Sequence, residues 1–336
     1  MKPSLKPIQE QVMVITGASS GIGLATARLA AEQGATLVLA ARSEGALREL
    51  ETEMTAAGHR VSAVVADVSR EEDVRAVARV AQELYGGFDT WVNNAGVGMY
   101  GTLEEVSVAD MRRLFDINFW GLVYGSREAV KTLRGRGGAL INVGSTASER
   151  AIALQGAYSA SKHAVKAFTD ALRMELEADE APVSVTLIKP GPIDTPFPMN
   201  ARNYLKDEPQ HVPPVYAPET VARAILHAAV IPTRDLFVGS GGRGIAAFGQ
   251  LAPGATDKAM EGFIIPRTHS GRPPLPRSQN GLNAPSERLS ERGDYPGMVR
   301  GASLYTQAAQ SGGLRTALLL GAGVAALALI GTARRR

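Results

Sequence analysis

The sequence predicts an α/β fold: a doubly wound parallel sheet of about seven strands with helices on both faces, then an irregular C-terminal extension and a terminal hydrophobic helix. Two observations lead there. Between Val12 and Gly239, short β-branched runs alternate with longer stretches of helical period, the order expected of repeated strand–helix units. The runs stay apolar instead of alternating with polar residues, which suits strands covered on both sides.

In chain order the strand runs are Val12 to Thr16, Thr36 to Ala41, Val61 to Ala66, Thr90 to Asn93, Ala139 to Gly144, Val183 to Ile188 and Leu236 to Gly239. The helical stretches between them are Leu24 to Gln33, Glu44 to Ala57, Glu71 to Leu84, Val108 to Leu133, Ala157 to Ala178 and Pro218 to Val230. Acidic pairs such as Glu71-Glu72 and Glu104-Glu105 open helical stretches, where they complement the positive end of the helix dipole. Past Gly239 the pattern weakens, and Ile245 to Phe263 reads as one or two short helices broken at Pro253-Gly254. Residues 266 to 301 hold 11 Gly or Pro in 36 positions without a period, the composition of a linker. Thr316 to Ala333 carries no charge over 18 residues and is flanked by Arg315 and by Arg334, Arg335 and Arg336. As a helix it would be roughly 27 Å long, close to the hydrocarbon thickness of a bilayer. The division that follows is a lead over 1–11, one domain over 12–265, a linker over 266–313, and a hydrophobic helix with a basic end over 314–336, expected to contact a membrane as an anchor.

Composition removes several classes of chemistry. With no Cys in 336 residues there is no disulfide scaffold, thiolate metal site or cysteine nucleophile. The net charge of +3 is uneven: residues 266–336 hold ten Arg against Glu287, Glu291 and Asp294, a net of +7, which leaves the body near −4. An acidic body with 5% aromatic residues argues against nucleic-acid binding. His59, His163, His211, His227 and His269 show no metal-ligand spacing, so no metal is expected. Gly144-Ser145-Thr146-Ala147 is not the Gly-x-Ser-x-Gly turn of a serine hydrolase.

What remains is a nucleotide site. The first run ends in Thr16-Gly17-Ala18-Ser19-Ser20-Gly21-Ile22-Gly23 and passes directly into a helical pattern. Glycines allow the sharp turn and close approach of backbone to a pyrophosphate, and the helix N-terminus offers free N–H groups to its charge. Together with Asn93-Asn94-Ala95-Gly96, Asn118, Ser145, Tyr158-Ser159-Ala160-Ser161-Lys162 and Pro190-Gly191-Pro192-Ile193-Asp194-Thr195, this loop resembles the short-chain dehydrogenase/reductase family over about residues 10 to 240. The resemblance implies a Rossmann-type fold and hydride transfer between a nicotinamide cofactor and a carbonyl or alcohol. It implies catalytic roles for Asn118, Ser145, Tyr158 and Lys162: Ser145 would polarise the substrate oxygen without a covalent bond, and Asn118 would bend its helix and support a water chain to the lysine. It also implies cofactor contacts from Gly17, Ser19, Ser20, Gly21, Ile22, Gly23, Asp67, Val68, Asn94, Ala95, Gly96, Tyr158, Lys162, Pro190, Gly191 and Thr195.

The residues themselves support part of this. Tyr158 and Lys162 are four apart and share a helix face. A phenol titrates near 10, and an ammonium about 4 Å away at an effective dielectric of about 20 would lower that by about 3 units before desolvation. Tyr158 is thus expected to serve as general acid or base near neutral pH. The second run ends in Ala41-Arg42-Ser43, without the acid that would accept a ribose 2′-hydroxyl and with a guanidinium able to pair with a 2′-phosphate. NADP(H) is therefore expected over NAD(H), although Ser20 stands where many NADP-dependent relatives carry a basic residue in the glycine loop. Met99, Tyr100, Ile152, Leu154, Phe197, Met199, Tyr204 and Val212 suggest a pocket for a lipophilic carbonyl compound. The active domain is expected in the cytoplasm, where NADPH is, as a homodimer or homotetramer by resemblance. The rival reading is a non-catalytic nucleotide sensor or membrane-tethered interaction protein that keeps the fold.

Overall fold

The computed structural model describes residues 3–239, 241–276 and 280–310. Seven strands form one parallel sheet in the order β10-β7-β6-β4-β1-β2-β3. These are β1 (Val12–Thr16), β2 (Thr36–Ala41), β3 (Val61–Val65), β4 (Thr90–Asn93), β6 (Gly138–Val143), β7 (Val183–Pro190) and β10 (Asp235–Val238). Two-residue ladders join β5 (Met99–Tyr100) to β8 (Arg202–Asn203) and β9 (Val215–Tyr216) to β11 (Val299–Arg300). The helices around the sheet are α1 (Gly21–Glu32), α2 (Glu44–Ala56), α3 (Glu71–Tyr85), α4 (Val108–Phe115), α5 (Gly121–Arg136), α6 (Gly156–Ala178) and α7 (Pro218–Val230).

Strand pleating explains the unbroken apolar runs. Met13 and Ile15 of β1 enter a core shared with Leu24 and Ala27 of α1 and Val221 and Ile225 of α7, while Val14 between them joins Val77, Trp91 and Leu114 on the opposite face. Each buried Leu, Val or Ile contributes about 1.5–3 kcal/mol, so neither face tolerates a polar residue cheaply. Where polar groups enter, they are paired. Trp91 Nε1 donates to Asn93 Oδ1 at 2.7 Å, Asn93 Nδ2 donates to Ser126 Oγ at 3.0 Å and to Asn142 Oδ1 at 2.9 Å, and Asn142 Nδ2 donates to Thr169 Oγ1 at 3.0 Å. This chain of bonds ties β4 and β6 to α5 and α6 directly beneath the C-terminal edge of the sheet.

The structure departs from the sequence expectation in two places. The stretch expected as one helix from Val108 to Leu133 is α4 and α5 joined by a π-helical turn, Asp116–Trp120. The wider turn brings Asn118 against its partners: its Oδ1 accepts from Val97 N at 2.8 Å, and its Nδ2 donates to Val97 O at 3.0 Å and to Ser161 Oγ at 3.2 Å. The second departure concerns the expected linker. After α8 (Gly241–Leu251) and α9 (Pro253–Ala259), which meet at the break expected at Pro253-Gly254, α10 (Ile265–Thr268) and an irregular strap lead to α11 (Leu304–Gln310). The strap is irregular, as its composition requires, yet it is no spacer. Leu282 is fully buried in the core that holds Trp91, β11 adds to β9, and Arg28 pairs with Glu291 at 2.7 Å. Thr316 to Ala333, read above as a membrane anchor, lies outside the described residues; among those described, no helix is long and apolar enough to cross a membrane.

Gly125 packs so closely on the polar chain that a Cβ there would overlap Asn93 Oδ1 and stand 2.9 Å from Trp91 Nε1. Gly125→Ala is expected to cost about 2–4 kcal/mol by separating these buried partners, and urea unfolding of the variant against wild type measures it.

Candidate active site

Order in the sheet reverses between β1 and β4, with later strands on one side and β2 and β3 on the other. A parallel sheet opens a crevice at such a point, above the carboxyl ends of its strands. The two strand ends are stitched together there. Thr16 Oγ1 accepts the N–H groups of Asn94 at 3.0 Å and Ala95 at 3.2 Å, and Asn94 Nδ2 donates to the carbonyls of Thr16 at 3.0 Å and Gly17 at 3.2 Å. Gly17 has φ +68°, and a Cβ on it would lie 2.8 Å from Ala95 Cα. A Cβ on Gly23 would collide with the Gly17 carbonyl oxygen. Ser20 caps α1 without a side-chain hydrogen bond, so its hydroxyl does not close the helix N-terminus. A loop this close-packed, at a helix end without a side-chain cap, fits a pyrophosphate, with the Gly21 N–H engaged by the Ser290 carbonyl at 2.9 Å.

The crevice holds a cleft of about 360 Å³. Gly17, Ser19, Ser20, Gly21, Ile22, Arg42, Val68, Asn94, Ala95, Gly96, Ser145, Tyr158, Lys162, Pro190, Gly191 and Thr195 line it. Gly23, Asp67 and Asn118 stand behind the lining. Gly23 makes room for the loop, and Asn118 pins Val97 and Ser161. Asp67 receives Arg113 Nη2 at 2.7 Å and Ser69 Oγ at 2.7 Å; burial pushes its carboxyl up, and these partners together bring it below its usual range. Of the apolar residues expected on the substrate side, Tyr100, Ile152, Phe197 and Val212 line the cleft. Met99, Leu154, Met199 and Tyr204 are outside the lining, and the Tyr204 hydroxyl donates to Asp110 Oδ2 at 2.6 Å.

Tyr158 lies at the start of α6 and Lys162 one turn further, both buried. Ser145 follows β6 and caps a short 3₁₀ turn, its Oγ accepting from Ala147 N at 3.1 Å. The Tyr158 and Ser145 side chains line the same cleft. Lys162 Nζ donates to the Val143 carbonyl at 2.9 Å and stands 5.9 Å from the centre of the Tyr158 ring. The expected lowering of the Tyr158 titration is not what this arrangement produces. Burial pushes the phenol up to about 12, the nearby Ser145 side chain opposing this only in part, and burial pushes Lys162 down to about 8. Desolvation outweighs attraction because the ammonium is turned to a backbone carbonyl and the site is enclosed. The Phe197 ring meets Tyr158 edge-on at 5.4 Å.

Sequence reasoning missed two contributors. His211, grouped by sequence with the structural or solvated histidines, lines the cleft, and burial pushes its titration down to about 4. Met260, Ile264, Thr268, Gly281, Pro285 and Ser286 also line the cleft, from beyond the region of resemblance. No motif marks them, since an apolar wall and a Gly/Pro-rich strap carry no spacing of their own.

The short chain dehydrogenase family description matches residues 11–206 of this sequence. The chain belongs to that family. An uncharacterized oxidoreductase, YxnA of Bacillus subtilis, is 50% identical over 310 residues, covering 91% of this chain and 87% of its own, a match too long to stop at the sheet domain. The 11-beta-hydroxysteroid dehydrogenase A of Sesamum indicum is 37% identical over 231 residues, 66% of each chain. Among solved structures, a short-chain dehydrogenase/reductase from Burkholderia phymatum in complex with NAD superposes with a TM-score of 0.66 at 27% identity, covering 79% of this chain and 96% of its own. L-sorbose reductase from Gluconobacter frateurii, complexed with NADPH and L-sorbose, gives 0.61 at 30% identity, covering 71% and 97%. A short-chain oxidoreductase with a Rossmann-type sheet and a nicotinamide-cofactor fold is thus established for this member.

The depressed Lys162 has a consequence for stability. Between about pH 8 and its unfolded value near 10.5 the folded protein holds one proton fewer than the unfolded chain at this residue, so its burial penalty is relieved as pH rises. Relative to Lys162→Met, wild type is expected to gain about 2 kcal/mol between pH 7.5 and 9.5, read from urea unfolding of both proteins across that range.

Proposed function

We propose that this family member reduces a lipophilic carbonyl compound to its alcohol, or runs the reverse reaction, with NADP(H) as coenzyme and Tyr158 as the proton donor and acceptor. The observation that carries the reading is the convergence of Tyr158, Ser145 and Lys162 on one cleft with the glycine loop. A bound nicotinamide supplies or accepts the hydride. The Ser145 hydroxyl, which lines the cleft with Tyr158, holds the substrate oxygen beside the phenol. Tyr158 delivers its proton to that oxygen as it becomes an alkoxide, a far stronger base than phenolate; a phenol that keeps its proton up to about 12 suits this direction at neutral pH. Lys162, fixed by the Val143 carbonyl and facing Gly96, is the residue to hold the ribose, and Asn118 positions the loop and helix around it.

Support for the coenzyme is Arg42 at the end of β2, where an acid would disfavour a 2′-phosphate. Support for the substrate class is the wall of Tyr100, Ile152, Phe197, Met260 and Ile264. It is also the occurrence among relatives of proteins described as hydroxysteroid dehydrogenases, including a 3beta-hydroxysteroid dehydrogenase of Mediterraneibacter gnavus at 38% identity over 189 residues. Pairing of two copies through α5 and α6 is supported by a ring cluster across them, Phe119, Trp120, Tyr124 and Phe168, with Trp120 45% exposed.

Tyr158→Phe is expected to lower NADPH-dependent reduction of a carbonyl panel by about 10³-fold or more while leaving the coenzyme dissociation constant within about threefold. Turnover at the wild-type rate in that variant, followed by NADPH absorbance, would defeat the assignment.

A further inference from the structure

The C-terminal strap crosses the cleft from end to end. Arg42 donates to the Gly281 carbonyl, Gly21 N in the glycine loop donates to the Ser290 carbonyl at 2.9 Å, and a Cβ on Gly293 would lie 3.0 Å from the Thr195 carbonyl carbon. Charged anchors hold the strap in this seat: Arg28 with Glu291 at 2.7 Å and Arg292 with Glu219 at 2.6 Å. Between Gly281 and Ser290 sits Glu287. Its Oε2 accepts the Ser43 hydroxyl at 2.8 Å across 244 residues of sequence, and a Cβ on Gly45, in the first turn of α2, would lie 3.1 Å from the same oxygen. A carboxylate is thereby held at the end of β2 and the start of α2, where nucleotide-binding sheets of this type carry the acid that receives a ribose hydroxyl. The sequence of β2 lacks that acid and ends in Ala41-Arg42-Ser43.

We propose that Glu287 is a coenzyme-selectivity residue supplied by the strap, opposing the 2′-phosphate that Arg42 attracts and so narrowing the preference for NADP(H) over NAD(H). This rests on reading the cleft as a nicotinamide-dinucleotide site. The surrounding charges agree. Arg113 is engaged by Asp67 at 2.7 Å, Arg42 already serves Gly281, and Arg42, Arg113, Asp67 and Glu287 together carry no net charge. A phosphate of nearly two negative charges gains Arg42 but meets Glu287, whereas a ribose hydroxyl is neutral and can donate to a carboxylate. Glu287 is exposed at the rim, so its effect is on relative affinity and not on folding.

The test is calorimetric titration of the full chain with NADP⁺ and with NAD⁺, for wild type, Glu287→Gln and Glu291→Gln. Glu287→Gln is expected to tighten NADP⁺ relative to NAD⁺ by about tenfold. Glu291→Gln loosens the same strap at Arg28 without altering charge beside Ser43, and is expected to leave the ratio within about twofold. If both dinucleotides bind and Glu287→Gln leaves their ratio unmoved, the selectivity role is overturned while the cofactor site stands. Equal shifts in the two variants also overturn it, since strap seating and not the carboxylate would then be responsible. If neither dinucleotide binds wild type, the reading of the cleft fails and takes the inference with it.

Discussion

The cleft exists because two loops approach closer than any side chain would permit. Gly17 turns through positive φ against Ala95, Gly23 makes room for the Gly17 carbonyl, and Asn94 and Thr16 bridge what little separation remains. This contact lies where strand order reverses, so one backbone approach both completes the sheet's upper edge and opens the crevice beside it. The buried chain from Trp91 through Asn93 and Asn142 to Thr169 holds the ends of β4 and β6 from below. A ligand entering here meets a loop whose shape is already fixed by its own packing.

The reactive pair shows which electrostatic effect governs an enclosed site. Spacing alone places a cation one turn from a phenol and promises attraction between ammonium and phenolate. Enclosure changes the balance, because both charged forms lose water while Lys162 spends its best bond on Val143. Burial favours a protonated phenol beside Ser145, with a lysine that titrates closer to neutrality than a solvated one. Under the proposed function, such a phenol is a reluctant acid until an alkoxide forms beside it, which would confine proton delivery to the moment of reduction.

Much of this was legible in the sequence, for reasons that can be named. The β-branched runs marked the seven sheet strands because burial on both faces demands unbroken apolarity, and the glycine loop was legible because only glycine satisfies its φ and its contacts. The resemblance implied a bend at Asn118, but its form as a π turn was not legible, since its helical period differs only locally and its side chain bonds Val97 in the tertiary fold. The pairing of β5 with β8 and of β9 with β11 was hidden for a similar reason: two-residue ladders have no period.

The strap is the most instructive omission. Its composition states correctly that it forms almost no regular structure, but irregularity says nothing about whether a segment is seated. Two of the bonds that seat it use backbone carbonyls, Gly281 and Ser290, which leave no trace in residue type. What the sequence did offer was its acids. In an extension otherwise rich in arginine, Glu287, Glu291 and Asp294 each meet a specific partner, Ser43, Arg28 and Arg272. Glu287 and Glu291 reach partners on the sheet domain, whereas Asp294 pairs with Arg272 inside the extension, so two of the three acids mark where the strap docks. The match to the Bacillus relative extends into this part of the chain, which is what a strap that helps to build the cofactor cleft would require.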